Sequence, residues 1–171
     1  MSFPVIVLIG PPGVGKSTVG ALLAQRLGVT CRDTDTDIVR AAGKEVPDIF
    51  FEDGEPRFRA LEREAVATAL SEHDGVLALG GGAVLAEETR GLLAGLPVAF
   101  LDMSLAAAVH RVGLGAPRPL LTINPRQQWR QLMAERRPLY TEVARAVIGT
   151  DERSPEEVAQ AVLEALELKP A

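Results

Sequence analysis

The sequence predicts a three-layer α/β/α fold, in which helices cover both faces of a five-stranded parallel sheet. Two observations lead to this prediction: short apolar segments alternate with amphipathic ones along the chain, and a glycine-rich motif follows the first apolar segment. Strands are expected at residues 5–9, 29–33, 76–79, 98–102 and 146–148. Helices are expected at residues 16–27, 34–42, 57–72, 87–94, 104–112, 125–136 and 154–167, the last beginning with a capping box at Ser154 and Glu157.

The composition is that of an ordinary globular protein with a single domain. Of 171 residues, 47% are hydrophobic and 24% are charged, and no linker or repeat divides them, so one domain is expected over residues 1–171. No apolar run approaches the roughly 20 residues of a membrane-spanning helix, and the chain begins with its first strand, so a cytoplasmic protein is expected. Because the net charge is −5, general binding to nucleic acid or an acidic membrane is not expected.

Cysteine usage limits the chemistry further. Cys31 is the only cysteine, which excludes an internal disulfide and a cysteine-based redox pair. It is expected to be a small core residue. No segment marks a dimer interface, so a monomer is the expectation.

Gly10 to Thr18 matches the phosphate-loop pattern G-x-x-x-x-G-K-[ST] between a buried strand and a helix, as that motif requires. Its glycines allow successive backbone N–H groups to point at phosphate oxygens, at the positive end of the helix. Lys16 then supplies a cation for the β- and γ-phosphates, and the Ser17 hydroxyl can bind Mg²⁺. The motif predicts that ATP or a similar triphosphate is bound by Gly13, Val14, Gly15, Lys16, Ser17 and Thr18.

Two further polar segments follow predicted strands. Asp33, Asp35 and Asp37 lie at and just beyond the end of the second strand, and Gly80-Gly81-Gly82 comes after the third. Because ligands bind at the carboxyl ends of parallel strands, both segments should lie near the phosphate loop. One aspartate can serve the metal while another meets a substrate hydroxyl, and the glycines can let a ligand approach the backbone. The alternatives are a solvated acidic turn and a flexible glycine turn.

The stretch from Gly113 to Pro119 has the composition of a mobile loop between two helices. We therefore expect a mobile lid at about residues 113–121. Arginine greatly outnumbers lysine in the chain, which is typical of carboxylate and phosphate sites but also follows from a genome-wide compositional bias. Both explanations stay open at this point.

These segments, in this order, resemble the shikimate kinase family over nearly the full chain. The further matching pieces are Ile49-Phe50, Gly54-Glu55, Phe58-Arg59, Arg118-Pro119-Leu120 and Arg136-Arg137-Pro138-Leu139-Tyr140. The resemblance implies a phosphate-loop kinase that transfers the γ-phosphate of ATP to the 3-hydroxyl of shikimate, on the route to chorismate and the aromatic amino acids. It also implies that shikimate and ATP are its partners and that Mg²⁺ is its cofactor.

The resemblance implies a role for each matching residue. Lys16, Asp35 and Arg118 are similar to the catalytic residues: the phosphate lysine, the aspartate that activates the substrate hydroxyl, and the lid arginine. Ser17 and Asp33 resemble the Mg²⁺ ligand and its acidic partner. A helical region at about 34–62 would form part of the shikimate site, whose residues would be Asp35, Arg59, Gly80, Gly81, Gly82 and Arg136. Arg111 and Arg153 would contact the adenine side of ATP.

Two details concern the arginines that would hold the shikimate carboxylate. Glu62 follows Arg59 at a spacing that places both on one helix face, so it should orient that arginine. The doubled Arg136-Arg137 leaves open which of the two meets the carboxylate. Arg57, Arg63, Arg130 and Arg137 are expected to be solvated surface charges.

Two other functions compete with this one. Another small-metabolite kinase, such as a gluconate kinase, would share the phosphate loop and the lid but not the combination of Arg59, the glycine triplet and Arg136. A GTP-dependent switch protein would need D-x-x-G and N-K-x-D motifs, and the sequence contains neither.

Overall fold

A computed structural model describes residues 3–112 and 124–171 of the chain. Its centre is a five-stranded sheet in which every neighbouring pair of strands is parallel, in the order β2-β3-β1-β4-β5. The strands are β1 (Ile6–Ile9), β2 (Cys31–Asp33), β3 (Val76–Ala78), β4 (Val98–Asp102) and β5 (Ala146–Gly149). The five predicted strands and their parallel arrangement are confirmed.

Helices connect successive strands. They are α1 (Lys16–Leu27), α2 (Thr34–Ala42), α3 (Val46–Asp53), α4 (Glu55–Glu72), α5 (Glu87–Leu93), α6 (Leu105–Val112), α7 (Pro125–Val143) and α8 (Pro155–Ala165), with a short 3-10 turn at Ala83–Leu85. The bounds of α1 and α2 are those predicted. The capping box of α8 is also present: the Ser154 hydroxyl accepts from the Glu157 amide, and the Glu157 carboxylate accepts from the Ser154 amide.

Two helices differ from the prediction. α3 was not predicted as a separate helix, although it falls in the helical region expected at about 34–62; it lies between Gly43, which ends α2, and Gly54, which ends α3 itself. α7 continues past the predicted end at 136 to Val143, with Pro138 inside it. Proline removes one backbone hydrogen bond, but Met133 and Tyr140 are buried on this helix, and their packing against the sheet keeps it in place.

The hydrophobic core lies on both faces of the sheet. Ile6 and Leu8 of β1 pack with apolar residues of α1 and α8. Val7 and Ile9, which point to the opposite face because side chains alternate along a strand, pack with residues of α4 and α7. This arrangement confirms the three-layer α/β/α fold. A smaller apolar cluster of Ile38, Ile49 and Phe58 joins α2, α3 and α4.

The order of the strands brings three loops to one edge of the sheet. β1 lies between β3 and β4, and the loops that follow β1, β2 and β3 all leave from the carboxyl ends of adjacent strands. Ligands bind at this edge in open parallel sheets. The phosphate loop, the aspartate segment and the glycine triplet are therefore neighbours, as the sequence predicted.

Two further points concern the surface. Cys31 is exposed, so its assignment to the core was wrong; it lies on β2, an edge strand with a neighbour on one side only. Within the described ranges 3–112 and 124–171, no helix has the length and apolar character needed to cross a membrane.

Candidate active site

The phosphate loop connects β1 to α1 and leaves the first amides of the helix open. Gly15, the N-cap of α1, has φ of 102°, in the left-handed region where side chains are disfavoured. It has no side chain to occupy the helix amides, so these can bind an anion. Gly10 is required for a different reason: a Cβ there would lie 2.5 Å from the carbonyl oxygen of Leu101.

Lys16 folds back over this loop. Its Nζ donates to the carbonyl oxygens of Gly10, at 2.6 Å, and Pro11, at 3.0 Å. Burial lowers the pKa of Lys16 to about 8, against the opposing effect of the Asp35 and Asp33 carboxylates, and Arg136 lowers it further. The ammonium is thus held at the mouth of the loop, close to both aspartates.

Ser17 and Asp33 form one oxygen-rich pair beside Lys16. The Ser17 hydroxyl donates to Asp33 Oδ2 at 2.9 Å, while Asp33 Oδ1 accepts from the Asp35 amide at 2.8 Å as the N-cap of α2. A hydroxyl next to one carboxylate suits Mg²⁺, which keeps most of its waters and takes few protein ligands. Among residues 3–112 and 124–171 there is no cluster of three or more histidine, cysteine or acidic residues, as a site for a fully protein-coordinated metal would have.

Asp35 begins α2 and faces the glycine turn. Burial raises its pKa, the Asp33 carboxylate raises it further, and Lys16 and Arg59 oppose both. A cavity of about 390 Å³ lies in front of it, lined by the phosphate loop, Asp33, Asp35, Leu79, Gly80 and Gly81. The predicted triphosphate, metal and hydroxyl sites therefore open into one space.

Each glycine of the triplet is crowded by a different group. A Cβ at Gly80 would lie 2.7 Å from Asp35 Oδ1, and one at Gly81 would lie 2.8 Å from Cδ of Pro12. A Cβ at Gly82 would lie 2.7 Å from Arg59 Nη2. Gly82 has φ of −100°, which any residue can adopt. Close approach of functional side chains, rather than backbone conformation, excludes a side chain here.

Arg59 lies on α4 on the far side of the glycine turn. Its Nη1 donates to Glu62 Oε1 at 2.8 Å, which confirms the expected contact between these residues. The Glu62 side chain is only 5% exposed. Burial raises the pKa of Glu62, and the Arg59 guanidinium opposes this through its hydrogen bond and its charge. Glu62 therefore holds Arg59 rigidly, in an environment with little solvent.

Arg136 and Arg137 point to different surroundings. Arg136 lies on α7 one turn before Tyr140, and its charge acts on the pKa values of Lys16, Glu62 and Tyr140. Arg137 Nη2 instead donates to Asp102 Oδ1 at 2.9 Å at the end of β4. Arg137 is partly exposed and pairs with Asp102, and Arg57, Arg63 and Arg130 are exposed as expected.

A second cavity, of about 320 Å³, continues from the phosphate loop on its other side. It is lined by Gly13, Val14, Gly15, Thr18, Val19, Arg111, Thr150, Arg153, Pro155 and Val158. Arg111 donates to the carbonyl oxygens of Val14, at 3.4 Å, and Thr150, at 2.9 Å. The structure thus brings Arg111 and Arg153 together next to the phosphate loop. Arg118 and the expected lid at 113–121 lie outside the described residues.

Two residues of the site were given no role from the sequence, although Tyr140 belongs to one of the matching segments. Thr34, between the two aspartates, is fully buried, and its Oγ1 accepts from the Gly80 amide at 3.3 Å. Tyr140 is also fully buried and donates its hydroxyl to the carbonyl oxygen of Gly81. Both contacts link distant segments of chain, so no local pattern could have indicated them.

Comparison with known proteins agrees with this geometry. The family model for shikimate kinase matches residues 12–167. The chain belongs to the shikimate kinase family. The shikimate kinases of Streptomyces avermitilis and Streptomyces coelicolor are 66% and 63% identical to it, each over 171 residues that cover all of both chains. The family and the fold predicted from the sequence are confirmed.

Solved structures show the same relationship. A shikimate kinase from Acinetobacter baumannii, in complex with shikimate, has a TM-score of 0.87 and 37% identity, covering 96% of this chain and 93% of that one. The shikimate kinase of Aquifex aeolicus has a TM-score of 0.82 and 33% identity, covering 95% of both chains. A gluconokinase from Sinorhizobium meliloti has a TM-score of 0.60 at 19% identity, a likeness of fold alone, over 98% of this chain and 94% of that one.

Proposed function

We propose that this shikimate kinase family member transfers the γ-phosphate of ATP to the 3-hydroxyl of shikimate, giving shikimate 3-phosphate and ADP. One observation carries the assignment of the site: a single cavity connects the phosphate loop to Asp35 and the glycine turn, and the Arg59 guanidinium lies against Gly82 of that turn. The charge of Arg136 acts on Lys16 and Glu62 of the same region. An acceptor that fits has a hydroxyl at one end and a carboxylate at the other. Shikimate has both groups, and the related protein of Acinetobacter baumannii is described in complex with it.

The donor half holds the phosphates of ATP. The open amides of α1 and the Lys16 ammonium neutralise phosphate oxygens. Ser17 and Asp33 would hold Mg²⁺, which supplies positive charge to the β- and γ-phosphates when bound. On the opposite side of the loop, Arg111 and Arg153 line the cavity that would accept the adenine ring. Thr18, Val14 and the loop glycines complete the wall of the donor half.

Asp35 is the group that meets the acceptor hydroxyl. As the hydroxyl oxygen forms its bond to the γ-phosphorus and the bond to the ADP oxygen breaks, the hydroxyl proton passes to the Asp35 carboxylate. Phosphoryl transfer has a loose transition state, so the main contribution of this residue is alignment. Burial and the Asp33 charge raise the pKa of Asp35, which makes it a better proton acceptor than a solvated aspartate.

Arg59 and Arg136 bind the acceptor carboxylate. Arginine offers paired donors that match a carboxylate. Glu62 forms an ion pair with Arg59, and the glycine turn lies against the Arg59 guanidinium. Arg59 therefore loses little conformational entropy when the acceptor binds. The pairing of Arg137 with Asp102 favours Arg136 for this role.

The remaining assignments extend this proposal. Arg118, on a lid at about 113–121, would bind the transferring phosphate, and the helical region at about 34–62 would enclose the acceptor. One domain over residues 1–171 would carry both halves of the site. A monomer in the cytoplasm, without nucleic-acid or membrane partners, remains the prediction from the sequence.

A coupled assay of ADP release tests the function. The purified chain is given ATP and Mg²⁺ with shikimate, gluconate or a nucleoside monophosphate as acceptor. We expect ADP release that depends on shikimate, with a phosphate on the 3-hydroxyl in the product. Turnover with gluconate or a nucleotide and none with shikimate would reject the proposal.

A further inference from the structure

Tyr140 is a fully buried tyrosine behind the acceptor end of the cavity. It follows Arg136 by one helical turn of α7, so the two side chains share a face. Its ring stacks on Phe100 of β4, with the ring centroids 4.8 Å apart. Its hydroxyl donates to the carbonyl oxygen of Gly81 at 2.5 Å. Tyr140 therefore ties the helix that carries Arg136 to the sheet and to the glycine turn.

The hydroxyl of Tyr140 lies among the charged groups of the acceptor site. Burial raises its pKa to about 12, while the Arg136 guanidinium opposes this through its charge and a side-chain hydrogen bond. Arg59 and Glu62 also act on it, in opposite directions. The hydroxyl keeps its proton at neutral pH, so it can donate to Gly81 from the helix face that it shares with Arg136.

The glycine turn is held from two sides. On the α2 side, Thr34 Oγ1 accepts from the Gly80 amide at 3.3 Å. On the α7 side, Tyr140 donates to Gly81. Asp35 follows Thr34 directly, and Arg136 precedes Tyr140 on the same helix face. The turn thus connects the hydroxyl-binding and carboxylate-binding ends of the cavity through these two buried side chains.

We infer that the Tyr140 hydroxyl is a positioning group that fixes Arg136 against the glycine turn and so sets the carboxylate-binding end of the acceptor site. The inference rests on the proposed function. The hydroxyl acts through Gly81 and Arg136, which belong to the proposed acceptor site. Its loss should weaken binding of shikimate selectively.

The variant Tyr140→Phe tests this, because it keeps the ring and its stacking on Phe100 and removes only the hydroxyl. We expect the KM for shikimate to rise about tenfold, because one hydrogen bond that orients a charged group is lost. The KM for ATP should stay within about twofold of the wild-type value. Thr141→Val is the matched control. It removes a hydroxyl from the next residue of α7, which is exposed and donates to the carbonyl oxygen of Arg137, so both KM values should stay at the wild-type level.

A second measurement uses the wild-type protein alone. Tyr140 is the only tyrosine of the chain, so the ¹³C resonance of tyrosine Cζ reports on this residue without a variant. We expect the resonance to shift on titration with shikimate, because Arg136 engages the carboxylate and changes its contact with the phenol oxygen. A resonance that does not move at saturating shikimate would overturn the inference.

The kinetic outcomes separate this inference from the proposed function. A KM for shikimate within twofold of wild type in Tyr140→Phe, or an equal rise in both KM values, would show that the hydroxyl has only a structural role. Wild-type protein that releases no ADP in response to shikimate would instead overturn the proposed function, and with it the acceptor named here.

Discussion

Gly82 is the position where a single added methyl group should separate substrate binding from stability. A Cβ there would lie 2.7 Å from Arg59 Nη2, well inside van der Waals contact. The backbone at Gly82, with φ of −100°, accepts alanine without strain. Because the added methyl group meets the end of a side chain rather than backbone, the fold should tolerate Gly82→Ala while the guanidinium leaves its place.

The size of the effect follows from what Arg59 does. A hydrogen bond to a charged group contributes about 1.5–3 kcal/mol, so displacement of the guanidinium should raise the KM for shikimate by about 10- to 100-fold. The KM for ATP should change by less than about twofold, since the donor half lies elsewhere. Both values come from the coupled assay, and thermal unfolding of the same samples gives the stability.

Gly91→Ala is the matched control for Gly82→Ala. Gly91 lies in α5, and an added Cβ would meet nothing within 4 Å. Alanine in a helix is favoured over glycine by about 0.5–1 kcal/mol, so this variant should be slightly more stable and kinetically unchanged. A Gly82→Ala protein that is folded and has the wild-type KM for shikimate would refute the assignment of Arg59 to the acceptor.

Three further predictions concern the charges of the site. Asp35→Asn should keep ATP affinity and lower kcat by about 10²- to 10⁴-fold, and a near-normal kcat would remove Asp35 from catalysis. Lys16 has a pKa of about 8 and is charged below it, so kcat/KM for ATP should fall as the pH rises past that value, whereas a flat profile would contradict the role of its charge. Arg136→Ala should raise the KM for shikimate strongly. Arg137→Ala should lose only a half-exposed ion pair with Asp102, which contributes about 0–1 kcal/mol of stability. The reverse pattern in the two variants would exchange their roles.

The parts of the fold that were predictable are those with a local cause. α1 and α2 begin and end where expected because the phosphate loop, Asp33 and the glycines after each helix mark their ends. The three loops of the site meet because parallel strands present their carboxyl ends at one edge, which follows from the alternation of strands and helices alone.

The helices that were missed or shortened depend on tertiary contacts. α3 is only eight residues long and leaves Phe51 91% exposed, so its apolar pattern is weak. α7 contains Pro138, which in isolation would end a helix. Burial of Tyr140 on the sheet offsets the missing hydrogen bond, and no property of residues 136–143 alone shows that this face is buried.

The candidate site divides in the same way. Lys16, Ser17, Asp33 and Asp35 could be named because their motifs are contiguous. The preference for Arg136 over Arg137 rests on the position of Asp102, which lies far away in sequence. The sequence suggested that the glycine triplet bares the backbone to a ligand, and the structure adds that the triplet makes room for Asp35, Pro12 and Arg59.

The most direct test of the central claim compares shikimate with its methyl ester as acceptors, in the wild type and in Arg59→Ala. The claim is that one cavity holds the acceptor hydroxyl at Asp35 and the acceptor carboxylate at Arg59 and Arg136. The wild type should therefore prefer the acid, by a factor in kcat/KM of about 10² or more, since the ester leaves charged donors unpaired. Arg59→Ala should lose most of that preference. Equal use of acid and ester by the wild type, or an undiminished preference in the variant, would contradict the claim.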